Sequence, residues 1–263
     1  MKLFLKLGVL AVLGAAPLWS VEIHSAAEAV NIAGKQRMFT QRMLKDYAMI
    51  GMGNHFGDPQ KDLEETMAAF DDHLKSLQTY AKGDVKIETA LADVEKIWKE
   101  VETPLKQTPD LEEAQILQEK LESLLKAADT ATKAFSEASK KASGEMINIA
   151  GRQRMLSQRM ASLYMLKVWG VKDPKFQEKL NQALAEFKDA LTKLEEASLN
   201  TEETHALLKK VERSFMFFEM MNRSKSKFIP TLIYKKSDEM LKNMNRVTQL
   251  YVENESKQEG EKK

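Results

Sequence analysis

Thirteen residues occur twice. The string "NIAGKQRMFTQRM" at Asn31–Met43 returns as "NIAGRQRMLSQRM" at Asn148–Met160, 117 positions later. Self-similarity at a fixed shift is the signature of repeated structural units, so the chain is expected to build one fold twice. At that shift Asn31–Tyr47 and Asn148–Tyr164 agree at 11 of 17 positions. Beyond the string, residues 54–102 agree with their counterparts at 11 of 49. Leu63, Phe70, Leu74 and Leu77 meet Leu180, Phe187, Leu191 and Leu194. Scaffold positions need only be apolar and of suitable size. The string looks more particular than that.

The units read as helical. Only 11 Gly and 6 Pro occur in 263 residues, and the apolar residues fall at helical spacing. The first helix is expected at about 22–52, ending in the glycine-rich stretch before Pro59. A second follows at about 59–82, and a third at about 87–101, broken by "TPLKQTPD". A fourth starts near Asp110. The fold class is therefore all-α: two tandem antiparallel four-helix-bundle modules, at 21–140 and 141–253. Two junctions between them fit. No proline lies between Pro109 and Gly170, which favours one long continuous helix and end-to-end stacking. A turn at "ASGEM" instead folds the second unit beside the first.

The ends differ from the body. Lys2 and Lys6 precede an apolar run from Leu7 to Trp19. Residues 1–20 read as a secretory signal peptide cut after Ser20, with an uncleaved membrane anchor as the alternative. Residues 254–263 are polar and read as a disordered tail. Forty basic residues balance 39 acidic ones, which gives no reason to expect nucleic acid as a partner. The chain has no cysteine, so thiol chemistry and thiolate metal sites are excluded. His24, His55, His73 and His205 lack metal-ligand spacing. Fifteen methionines read first as core filling and only weakly as copper ligands. No nucleophile has a recognisable base. The expectation is a non-enzyme that needs no cofactor.

The chemistry to explain lies within the string. At 100° per residue, Gly34, Arg37, Met38 and Gln41 share one helix face. Gly151, Arg154, Met155 and Gln158 share it in the second copy. A mid-helix glycine costs about 1 kcal/mol relative to alanine, and its use is close approach of a backbone or ligand. A guanidinium beside apolar neighbours suits a small planar oxyanion, because its coplanar donors match nitrate, carboxylate or phosphate. Arg42 and Arg159 point about 140° away and are not expected to serve the same site. Spacing alone fits anion binding and plain helix packing equally well.

The string "NIAGRQRMLSQRM" resembles the signature of PilJ-type sensor domains, the family that includes the periplasmic input domains of NarX nitrate-sensing kinases and the pilus chemoreceptor PilJ. The resemblance implies helical modules that sense nitrate or a related anion where two first helices meet. It assigns the anion contact to Arg37 and Arg154, lined by Gly34 and Gly151. Family receptors continue into transmembrane and signalling parts that are not evident here. The expectation is an exported, periplasmic, soluble binding protein that presents its state to a membrane receptor or pilus component. If the units lie side by side, Arg37 and Arg154 meet within one chain; if they stack end to end, each meets its copy in a homodimer. The alternative function is a structural or adaptor protein of the envelope or pilus machinery, with no small ligand.

Overall fold

The structure, a computed structural model, describes residues 21–139, 142–223 and 229–260. The leader reading at residues 1–20 lies outside the described residues. Among the described residues eight helices follow one another: α1 (Ala26–Gly51), α2 (Pro59–Tyr80), α3 (Val85–Lys106), α4 (Leu111–Ser139), α5 (Ala142–Trp169), α6 (Phe176–Glu195), α7 (Glu202–Arg223) and α8 (Pro230–Gly260). Among the described residues there is no strand. Nor, among the described residues, is any helix long and apolar enough to cross a membrane.

Local signals explain the boundaries. Ser25, Asp58 and Asp84 cap α1, α2 and α3, each side chain accepting a backbone N–H three residues on; this satisfies one of the orphan donors of the first turn. Pro59 opens α2, where its missing N–H is harmless. Gly53 and Gly57 take φ of 66° and 77° in the turn after α1, a region glycine enters without strain. The break expected at "TPLKQTPD" comes late. Helix α3 runs through Pro104 to Lys106, held down by buried Leu105. Helix α8 likewise passes residue 254 and reaches Gly260, through good helix formers such as Glu and Lys.

Each half packs as expected. In the first, α1 lies against α2 and α4, and α3 against α4. In the second, α5 lies against α6 and α8, and α7 against α8. The same bonds recur in both halves. Gln36 Nε2 donates to the Phe70 carbonyl at 3.0 Å, and Gln153 Nε2 to that of Phe187 at 2.8 Å. Phe70 stacks on Trp98 at 4.4 Å, and Phe187 on Phe215 at 4.6 Å.

The long junction helix does not exist. Helices α4 and α5 are separate and antiparallel. Ser136 Oγ donates to the Gly144 carbonyl at 3.4 Å, and Arg159 Nη1 to Glu122 Oε1 at 2.6 Å. In one straight helix, residues 122 and 159 would sit about 55 Å apart. The halves therefore lie side by side, with α1 and α5 packed in parallel: Gly34 meets Gly151, and Gly51 meets Trp169. The physical reason lies in the repeated string. End-to-end stacking would leave its glycine–arginine face in water in both halves. The reversal packs the two faces together.

Candidate functional site

Helix α1 carries no exposed residue and α5 is mostly buried, which is unusual for helices carrying so many polar residues. Gln36, Arg37, Thr40, Gln41, Lys45 and Asp46 are all buried on α1, as are Gln153, Arg154, Ser157, Gln158 and Ser162 on α5. Buried polar groups are tolerated when hydrogen-bonded, and most of these are bonded locally or across the crossing.

The crossing is built on Gly34 and Gly151. A Cβ on either would lie 3.9 Å from the Cα of the other and 3.1–3.4 Å from an Nη2 of both Arg37 and Arg154. Both guanidiniums thus press into the gap that the glycines leave. Arg37 Nη2 donates to the Asn148 carbonyl and Arg154 Nη2 to the Asn31 carbonyl, each at 3.2 Å. These contacts exchange under the 117-residue shift, so the halves meet about a local twofold axis, as in an isologous dimer.

The remaining partners differ. Arg37 Nη1 donates to Asp129 Oδ1 at 2.7 Å. Arg154 Nη1 donates to two amide oxygens, Asn31 Oδ1 at 2.9 Å and Asn245 Oδ1 at 3.3 Å. Each arginine is only 1% exposed. Burial lowers the pKa of Arg37 despite Asp129. Burial, then the charge of Arg37, brings Arg154 to about 9. Lys35, two residues before Arg37, is brought to about 8 by burial and by Arg154. His73, on α2, is held near 4 by burial, Lys35 and Arg154, and stays neutral. The Nε–H of Arg37 and of Arg154 is buried with no acceptor among the described residues. The crossing is therefore rich in positive charge, with unpaired donors at the two Nε–H groups and unpaired acceptors at Asn148 Oδ1 and Gln158 Oε1. Among the described residues, Asp129 is the one carboxylate bonded to either arginine.

Met38 and Met155 are buried beside the arginines. Met155 lies on a groove of about 520 Å³ between α4, α5 and α6, with Asp129, Arg152 and Arg159 on its walls. Gln41 Oε1 accepts from Ser162 Oγ across the crossing at 3.3 Å. Gln158 Nε2 donates to the Ser237 carbonyl on α8 at 3.2 Å. The structure thus brings Gly34, Gly151, Arg37 and Arg154 together and sets the methionines and glutamines around them. Arg42 and Arg159 turn away, to Asp62 and Glu122 respectively.

Sequence reasoning missed several participants. Asn31 and Asn148 open the repeated string, and that position was a usable signal. Asp129 and Asn245 carried none, because they lie outside the string. A second buried cluster was also missed. Lys45 Nζ is fully buried, 3.0 Å from Asp238 Oδ1 and 3.7 Å from Asp46 Oδ1, and 3.9 Å from the Tyr234 ring centroid. Burial drives the Asp46 carboxyl well above its ordinary range. The second half has Ser162 and Leu163 at the places of Lys45 and Asp46, so this cluster belongs to one half alone.

A family model, PilJ, described as type IV pili methyl-accepting chemotaxis transducer N-term, matches residues 19–130 and 136–216. The matched segments cover well over half of the chain, one in each half. No curated protein and no solved structure matches the chain.

Proposed function

The chain belongs to the PilJ family, and from that premise we propose that it is a sensor-type binding protein whose α1–α5 crossing takes nitrate or a similar small oxyanion. One observation carries the reading: two buried guanidiniums face each other with, among the described residues, one carboxylate bonded to the pair. Like charges held together out of water are costly unless matched. A planar anion relieves that cost and supplies acceptors to the idle Nε–H groups through charge-assisted bonds. The pair forms within one chain, so no homodimer is needed to complete it.

The crossing is closed. An anion enters only where the asparagine contacts to the arginines give way, so occupancy shifts α1 against α5. Such a shift is what a membrane receptor or a pilus component reads. We place the protein in the periplasm, reached through the leader at residues 1–20.

A packing role, in an adaptor or structural protein, is the second reading. The observation favouring it is that both arginines already bond to the other half's backbone. Thermal unfolding with sodium nitrate, nitrite, chloride and sulfate separates the two. Nitrate is expected to stabilise the native state by RT ln(1 + [L]/Kd), about 2.7 kcal/mol at a hundredfold excess over Kd. Arg37→Ala with Arg154→Ala is expected to remove that response while keeping the helical circular dichroism. A wild type indifferent to every anion leaves the packing role.

A further inference from the structure

The two halves match closely enough for their differences to be read position by position. In the fourth helix of each half the register shift is 116. Glu122 and Asp238 are so related, as are Phe135 and Tyr251. Thr132 Oγ1 donates to the Ala128 carbonyl and Thr248 Oγ1 to that of Met244, both at 2.7 Å, and these four residues obey the same shift. Asn245 therefore stands where Asp129 stands in the first half. Both face the Nη1 of their own half's motif arginine.

That single difference in atom type changes the charge of the crossing. On one side Arg37 has a carboxylate, which also takes Lys133 at 2.7 Å. On the other, Arg154 has the neutral amide of Asn245. The neighbouring positions differ in the same sense. Arg152 pairs with Glu186 at 2.8 Å. Its counterpart Lys35 has Ala69 at the place of Glu186, and no ion pair reaches it among the described residues. Lys35 is partly exposed, so water shares its charge. Arg154 is not, so its charge stays unmatched.

We propose that Asp129 and Asn245 set the charge of the anion that the crossing accepts: one carboxylate for two buried arginines, held by Arg37, leaves one unmatched positive charge, at Arg154, and selects a monovalent oxyanion over a divalent one. The inference rests on the crossing being an anion site. A monovalent anion completes the balance. A divalent one brings a surplus negative charge into a buried site, where an unpaired charge is expensive. A second carboxylate at position 245 would match Arg154 internally and compete with any anion.

The variants are Asn245→Asp and Asp129→Asn, both near-isosteric, studied in the full chain by titration calorimetry and thermal unfolding. Sodium nitrate and sodium sulfate are compared at constant ionic strength. Wild type is expected to bind nitrate and to ignore sulfate. Asn245→Asp should bind nitrate at least tenfold more weakly, with a higher melting temperature in the absence of anion. Asp129→Asn should bind sulfate at least tenfold more tightly than wild type. Wild-type nitrate affinity in folded Asn245→Asp, or no gain in sulfate binding by Asp129→Asn, overturns the charge rule and leaves the arginine pair standing as a binding site. A wild type that binds neither salt overturns the anion reading and this inference with it.

Discussion

Gly34 and Gly151 stand face to face, so close that a methyl group on one would touch the Cα of the other at 3.9 Å. The same methyl would crowd both guanidiniums. Gly151→Ala meets them at 3.1–3.2 Å and Gly34→Ala at 3.3–3.4 Å. The gain in helix propensity, about 1 kcal/mol, is opposed by overpacking of about 1–3 kcal/mol. Gly151→Ala should therefore be the less stable single variant. The double variant should lose more than the sum, because two methyls then compete for one gap. Urea unfolding of the three variants decides this, and simple additivity would argue against the shared gap.

The two motif arginines should respond differently to removal of charge. Arg154→Met deletes an unmatched buried charge, and such replacements by apolar residues are often neutral or stabilising. Arg37→Met takes a partner from Asp129, whose carboxyl now lies below its ordinary range because the Arg37 and Lys133 charges outweigh its burial. Without anion, Arg154→Met is expected to be more stable than Arg37→Met by about 2 kcal/mol. The reverse order in calorimetric melting would contradict the charge asymmetry.

The buried ammonium of Lys45 can be tested by copying the other half. Lys45→Ser alone leaves Asp46 and Asp238 without it, at about 3 kcal/mol. Adding Asp46→Leu, as Ser162 and Leu163 stand in the second half, should recover most of the loss. Denaturant midpoints report the recovery. If the double variant is no better than the single one, Asp46 is not what Lys45 offsets.

Histidine 73 predicts a pH dependence. The unfolded chain takes up this proton near pH 6.5, and the folded chain only near 4. Between those values the unfolded state binds more protons, so stability falls as pH falls. The full contribution is about 3 kcal/mol at 1.36 kcal/mol per pKa unit. His73→Ala, which copies Ala190, should flatten the fall between pH 6.5 and 4 relative to wild type. Unfolding at pH 7, 5.5 and 4.5 measures it, and parallel curves would sink the assignment.

The helices and the doubling were legible because both are written in periodic apolar residues, such as Leu63, Phe70 and Leu74, which need no knowledge of the partner surface. The glycine–arginine face was legible for the same reason, since it stands twice in the same register. The junction was not. Good helix formers continue across residues 139–142, and the reversal is decided by what α1 and α5 bury together, a non-local gain with no local mark. Asp129, Asn245 and Lys45 were hidden likewise. Asp129 and Asn245 sit on otherwise ordinary helices, Lys45 lies just past the repeated string, and each acquires its role only from the helix packed against it.

The reciprocal contacts across α1 and α5 would, in a pair of identical subunits, depend on two molecules finding each other. In one chain they persist at any dilution, and their formation is set by the folding of a single molecule. Covalent linkage also releases a genetic constraint. A mutation in a symmetric dimer arrives twice, on both sides of the axis. Here each side mutates alone, so one arginine can keep an acid while its twin is left with an amide.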